Sequence, residues 1–216
     1  YFLLTAQEIK AYGNSENLKR KRDYPDNLDV VPVAGTSIWD EPLLAVMISY
    51  FSPDESLKSL SRTAHYILPV SVALTSLAIV LAFGAAGFWS AGSIAALGSS
   101  LSGAFLERTS AGRLDTDQLN LGFFYLITAL IIWASRVKNF RLSLVLCGVA
   151  AATTHLFHWW WPKPILNWIF LIDLVSLSYY FNRSFARTAL LGAVYFVLIS
   201  NLNFNLSINV DDYAVP

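Results

Sequence analysis

The sequence is poor in charge and in cysteine. Only 14% of its 216 residues are charged, and 15 basic residues balance 15 acidic ones, whereas soluble domains carry roughly 25% charged residues. A net charge of zero gives no reason to expect a nucleic-acid partner. The single cysteine, Cys147, excludes an internal disulfide and is expected to pack among apolar neighbours. The chain begins with Tyr1 rather than Met and shows no signal peptide, so we expect it to be part of a longer protein.

Apolar residues make up 55% of the chain and are unevenly distributed. Residues 1–63 are mostly polar and are interpreted as a first external loop with short helices, one of them over the apolar residues 42–51. Residues 64–204 are apolar stretches joined by short connections, and residues 205–216 begin another external segment. A bilayer core requires about 20 apolar residues per helix. The pattern therefore predicts an all-α, polytopic helical membrane protein, with spans over residues 66–87, 89–106, 119–134, 142–158, 164–181 and 188–204.

The connections between the predicted spans differ in charge on the two sides of the membrane. One side carries only basic residues, namely Arg136, Lys138, Arg141, Arg183 and Arg187. The other side carries Asp115, Asp117, Lys163, Asp211 and Asp212. Because short loops rich in Lys and Arg stay in the cytoplasm, the second side is predicted to be extracytoplasmic.

One external loop, "ERTSAGRLDTDQLN" at residues 107–120, contains Arg108 and a D-x-D pair, Asp115 and Asp117. Residues two apart point to the same side of an extended segment, so the two carboxylates can converge. Mg²⁺ and Mn²⁺ prefer carboxylate oxygens, and Arg108 would add a fixed positive charge. The alternative is that Asp117 or Thr116 caps the following helix while Asp115 is solvated.

The segment "RTSAGRLDTD" resembles the second external loop of the catalytic subunit of oligosaccharyltransferases, in the bacterial and archaeal single-subunit form. The family pattern is approximately R-T-x-x-G-x-x-D-T-D, and the matching residues are Arg108, Thr109, Gly112, Asp115, Thr116 and Asp117. "YFLLTAQEI", residues 1–9, is similar to the stretch that follows an Asp in the family's first external loop. "HWWWPKP", residues 158–164, is similar to a Trp-rich segment at the outer end of a later span.

This resemblance implies a membrane glycosyltransferase of the C-type architecture. Such enzymes move a glycan from a polyprenyl phosphate or pyrophosphate carrier to the Asn of an Asn-x-Ser/Thr sequon in an acceptor polypeptide, outside the cytoplasm. The resemblance implies that Asp115 is a ligand of Mn²⁺ or Mg²⁺, that Asp117 lines the same catalytic pocket and that Arg108 holds the acidic cluster. Trp159, Trp160 and Trp161 would shape a substrate groove. The alternative for these three residues is anchoring at the membrane interface.

The chain also departs from the family pattern. It has no Trp-Trp-Asp motif, no later external-loop glutamate and no carrier-binding arginine, so this chain alone is expected to be inactive. A further acid is expected about three residues upstream of Tyr1, a spacing that the resemblance implies. One helical turn, about 5.4 Å, and a side chain would carry that acid toward Asp115. Asp40 and Glu41 are the competing candidates, because sister transferases use an acidic pair in the first external loop.

Two other functions stay open. One is a sister transferase that uses a polyprenyl-phosphate sugar to modify protein hydroxyls or lipid A. The other is a transporter or scaffold subunit without chemistry. A transporter is expected to have acids inside its spans, and Asp173, which is expected to make a structural hydrogen bond, is the acid in such a position.

Overall fold

A computed structural model describes residues 2–12, 43–102, 117–161 and 163–200 of the chain. These residues form eight helices and, within these ranges, no strand, which confirms the all-α prediction. The helices are α1 (Phe2–Tyr12), α2 (Leu43–Phe51), α3 (Leu57–Ala86), α4 (Trp89–Leu101), α5 (Asp117–Arg136), α6 (Phe140–Trp160), α7 (Pro164–Asn182) and α8 (Phe185–Ile199).

All six predicted spans coincide with helices, but only some of these helices have the length that a bilayer crossing needs. Four described helices are long and apolar enough, at Leu57–Ala86, Leu119–Arg136, Phe140–Trp160 and Ile165–Asn182. The helix α8 is apolar but has 15 residues, and α4 has 13. The predicted ends of these two spans, residues 106 and 204, lie outside the described residues. The chain is therefore described as a helical membrane protein with four helices that could cross the bilayer.

The helix α3 begins at Leu57, earlier than the predicted start at residue 66. Ser56 caps it, because the Ser56 hydroxyl accepts the amide hydrogen of Ser59 at 3.2 Å. A helix of 30 residues is about 45 Å long, whereas a hydrocarbon core is about 30 Å thick. The helix α3 is therefore about ten residues longer than a crossing along the bilayer normal requires, and residues 57–66 have the polar composition that suits the headgroup region.

The bundle is organised around α5, which packs against α3, α6 and α7. The chain turns sharply from α3 into α4 at Gly87, whose φ of 99° favours glycine, so α4 runs back along α3. Ser76 of α3 and Ser100 of α4 share a hydrogen bond of 2.8 Å. The main core lies between α5, α6, α7 and α8, and its large, fully buried side chains include Ile127, Ile131, Phe170, Leu174, Leu191 and Tyr195.

A second cluster lies at one end of the bundle, where α1 and α2 pack over the first turns of α3 and the last turn of α6. We call it the end cluster. Its buried members are Ala6, Ile9, Leu44, Ala45, Ile48, Leu60, Ala64, Ile67 and Trp160. The two short helices expected within residues 1–63 are therefore attached to the membrane helices by apolar packing.

The opposite end is basic and is held together by arginine side chains. Arg136 donates a hydrogen bond to the carbonyl of Ala85 at 2.5 Å, and Arg187 donates to the carbonyls of Val137 and Lys138. Carbonyl groups at helix C-termini lack partners within their own helix, so these bonds satisfy them. The bonds also show that the turns after α3, α5 and α7 lie together.

Candidate functional site

The D-x-D loop joins α4 to α5. Arg108 and Asp115 lie outside the described residues, and Asp117 is the first residue of α5. The helix begins two residues before the predicted start of the span at Leu119. The first turn of a helix has a partial positive charge that stabilises carboxylates, so Asp117 occupies a position where acidic residues are favoured.

The first turns of α5 are held in place by close packing. A Cβ atom added at Gly122 would lie 2.7 Å from Oγ1 and 3.3 Å from Cα of Thr75, so α3 and α5 are in near-backbone contact there. Phe123, one residue further on, stacks on Phe157 of α6, with ring centroids 5.3 Å apart and planes 14° apart. Leu119 packs against the end cluster. The position at which the D-x-D loop joins α5 is therefore determined by contacts from both α3 and α6.

Both candidate sources of a further acid lead to this end of the bundle. Leu3, two residues after Tyr1, and Leu43, two residues after Glu41, pack against the same end cluster as Leu119. Tyr1, Asp40 and Glu41 themselves lie outside the described residues. An acid upstream of Tyr1 and the pair Asp40 and Glu41 therefore both stay open as partners of Asp115.

The three tryptophans differ in their surroundings. Trp160 is 3% exposed and belongs to the end cluster, with its ring 6.1 Å from that of Phe123. Trp159 and Trp161 are half-buried. Lys163 places its Nζ 5.5 Å from the centre of the Trp161 ring. Trp160 therefore joins α6 to the α1 and α2 layer, and Trp159 and Trp161 are the two that keep exposed surface.

Histidine and acidic side chains outside the D-x-D loop are the other candidates for chemistry. Among the described residues, no group of three or more His, Cys, Asp or Glu is arranged to hold a metal ion; Asp115 lies outside them. His155 has its Nε2 atom 2.8 Å from the carbonyl oxygen of Leu198, which joins α6 to α8. Asp173 is half-buried in α7, and the hydrogen bond expected for it is not found within the described ranges.

One surface feature was missed from the sequence. An open groove with a volume of about 440 Å³ lies between the end of α2 and the first turns of α3. Its charged lining includes Lys58 and Arg62. The available signal was the spacing of Lys58, Arg62 and Tyr66, which are four residues apart and therefore share one helix face.

Comparison of the chain with protein-family models, with curated proteins and with solved structures finds no match. The loop motif and its place in the fold therefore provide the basis for a functional proposal.

Proposed function

We propose that the chain is the membrane region of an oligosaccharyltransferase catalytic subunit. The enzyme would transfer a glycan from a polyprenyl phosphate or pyrophosphate carrier to the Asn of Asn-x-Ser/Thr sequons. The observation that carries the proposal is the ten-residue motif from Arg108 to Asp117, which ends on the first residue of a membrane helix. The first-loop helices and the Trp-rich segment pack at the same end of the bundle, which supports the proposal.

The proposed orientation has the D-x-D loop outside the cytoplasm. The turns after α3, α5 and α7 lie together, and the five basic residues at and around them are accompanied by no acid in residues 86–89, 136–140 or 182–185. Positive charge of this kind favours the cytoplasmic side. If α4 and α8 also cross, the chain has six spans in the C-type glycosyltransferase arrangement. The carrier lipid and the acceptor polypeptide would then meet at the D-x-D end.

The acidic, basic and aromatic residues of the proposed site would have different roles. Asp115 and Asp117 would hold Mn²⁺ or Mg²⁺, because carboxylates are the oxygen ligands that such ions prefer, and two of them leave coordination positions for phosphate oxygens. The bound ion supplies positive charge that stabilises the departing phosphate. Arg108 would hold the acidic cluster in position. Trp159 and Trp161 would line the path of the carrier or the acceptor.

A glycan-transfer assay on the complete protein tests the proposal. Asp115→Ala should abolish transfer to a sequon peptide, because it removes a metal ligand, and transfer should require Mn²⁺ or Mg²⁺. Glu55→Gln is a matched control, because Glu55 is an exposed acid between α2 and α3, and it should keep full transfer. Full activity in excess chelator would contradict the metal site, and full activity of the Asp115→Ala protein would contradict the site itself.

The sister transferase is the second candidate, and one observation favours it. The helix α2 begins two residues after Glu41, and its Leu43 packs against the same end cluster as Leu119 of α5. The acceptor separates the two candidates. Glycan on Asn of a sequon supports the oligosaccharyltransferase, whereas sugar on a Ser or Thr hydroxyl or on lipid A, lost in Asp40→Ala or Glu41→Ala proteins, supports the sister family.

A further inference from the structure

The groove between α2 and α3 lies beside the first turns of α3, at the polar end of this helix. Its wall includes Phe51 from the end of α2 and Lys58, Arg62, Thr63 and Tyr66 from α3. The helix α3 is about ten residues longer than a crossing along the bilayer normal requires, and residues 57–66 are its polar part. Five of the nine residues that line the groove belong to this part of α3, so we expect the groove to open at the depth of lipid headgroups.

The upper part of the groove is positively charged. Lys58 and Arg62 are both exposed and lie one turn apart on the same face of α3. Neither forms a salt bridge with an acid in the part of the chain that the structure describes. Asp54 also lines the groove, but one of its carboxylate oxygens accepts the amide hydrogen of Ser56 at 2.9 Å. The acid is therefore engaged with its own loop, and the two cations outnumber it.

The lower part of the groove is apolar and continuous with the lipid-facing side of α3. Tyr66 is 69% exposed, and the stripe continues through Val70, Leu74 and Leu77, each at least half exposed. Their spacing of four, four and three residues keeps them on one helix face. A molecule in the groove would therefore meet cations at headgroup depth and an apolar surface directly below.

We propose that this groove binds an anionic diacyl phospholipid of the surrounding leaflet. Its phosphate would lie between Lys58 and Arg62, with the Thr63 hydroxyl in reach as a donor, and an acyl chain would follow Val70 and Leu74. The pattern of charge above an apolar stripe selects an amphiphile, because a soluble anion would use only the upper half. This site uses none of the D-x-D residues and does not depend on the proposed glycan transfer.

A single reporter can measure lipid preference at this place. Cys147 is the only cysteine and is buried, so Val70→Cys in a Cys147→Ala background gives one labelled position beside the proposed acyl chain. The labelled protein is placed in phosphatidylcholine vesicles that contain nitroxide-labelled phosphatidylglycerol or nitroxide-labelled phosphatidylcholine at equal mole fraction. We expect stronger quenching by phosphatidylglycerol at Val70. A second reporter at Val145, exposed on α6, should show no preference.

The charge variants decide the proposal. Lys58→Gln with Arg62→Gln should lower the local affinity for phosphatidylglycerol about thirtyfold, given the usual effect of one basic residue near an anionic surface. Lys138→Gln with Arg141→Gln removes the same charge from the basic end and should leave quenching at Val70 unchanged. A charge-preserving pair, Lys58→Arg with Arg62→Lys, should retain the preference and shows whether the groove tolerates substitution.

Three results would overturn the proposal. The first is equal quenching by the two lipids at Val70, and the second is an equal loss of preference in the variant at the basic end. The third is full displacement of the lipid by excess soluble glycerol phosphate, which would show that the groove recognises a phosphate group rather than a lipid.

Discussion

Replacing Gly122 by alanine should destabilise the bundle at the contact that positions the D-x-D loop. The added Cβ would lie 2.7 Å from Oγ1 of Thr75 and 3.3 Å from its Cα. Thr75 is 1% exposed and β-branched, so its side chain has little freedom to move away. Overpacking of this kind costs about 1–3 kcal/mol. The helices α3 and α5 would have to separate, and the start of α5 would move with them.

Gly148 provides the matched control, because it is also inside a membrane helix and a Cβ added there would meet nothing within 4 Å. Both substitutions gain the same helix propensity, about 0.5–1 kcal/mol relative to glycine. The difference between the Gly122→Ala and Gly148→Ala proteins therefore isolates the contact with Thr75. We expect Gly122→Ala to be the less stable by about 1–3 kcal/mol, which is roughly a fivefold to 150-fold change in the unfolding equilibrium constant.

Unfolding by a denaturing detergent in mixed micelles, followed by tryptophan fluorescence, measures this difference. A second comparison, Thr75→Ala with Gly122→Ala, should recover part of the loss because it makes room for the added methyl group. Equal stability of the two glycine variants, to within about 0.5 kcal/mol, would refute the close approach of α3 and α5 at Gly122.

Three further predictions concern orientation, polar contacts and pH. A cysteine at Ser110, in a Cys147→Ala background, should react with an impermeant thiol reagent from outside intact cells; labelling only after membrane disruption would contradict the proposed orientation. The buried Tyr195 hydroxyl lies 2.7 Å from Thr154 Oγ1, which also donates to the Ala150 carbonyl. In detergent unfolding, Tyr195→Phe should lower the free energy of unfolding by about 0.6 kcal/mol, and Thr154→Val should lower it more because it leaves the tyrosine hydroxyl unpaired. The reverse order would contradict this pairing. Hydrogen bonds from Ser56 lower the pKa of Asp54, so the stabilisation of this turn is fully present above the ordinary aspartate pKa of about 3.9 and is lost as the pH falls through the lowered pKa. A carboxyl NMR titration of the Ser56→Ala protein, which keeps the backbone amide, should show a higher pKa for Asp54, and an unchanged pKa would show that the Ser56 hydroxyl is not the cause.

The proposed glycan transfer and the proposed lipid binding depend on different contacts at the same end of the bundle. The glycan-transfer site depends on the position of the start of α5. That position is determined by the contact of Gly122 with α3 and of Phe123 with α6. The groove depends on the start of α3 at Leu57, where Ser56 caps the helix. A protein that loses phosphatidylglycerol preference but keeps glycan transfer would show that the two sites are separate.

The sequence by itself determined the fold class and the places of the helices. A segment in contact with lipid must satisfy its backbone hydrogen bonds internally, so an apolar stretch that is long enough forms a helix. Hydropathy can therefore be read locally, without knowledge of the tertiary structure. The apolar stretches therefore indicated where the helices lie, four of which are long and apolar enough to cross a membrane, and the basic residues around Arg136 and Arg187 indicated which turns share one end. The early start of α3 was missed because hydropathy reports the lipid-embedded part, whereas Ser56 starts the helix outside it.

The tertiary structure decided which of several similar residues make contacts. Gly122 and Gly148 are both glycines inside membrane helices, yet one is pressed against Thr75 and the other faces open space. Trp160 is buried under α1 and α2, whereas its neighbour Trp159 is only half-buried. In a bilayer, apolar side chains pack equally well against lipid and against another helix, so hydropathy does not distinguish these two environments. That distinction depends on which helix lies opposite, and only the packing of α1, α2 and α3 around α5 and α6 supplies it.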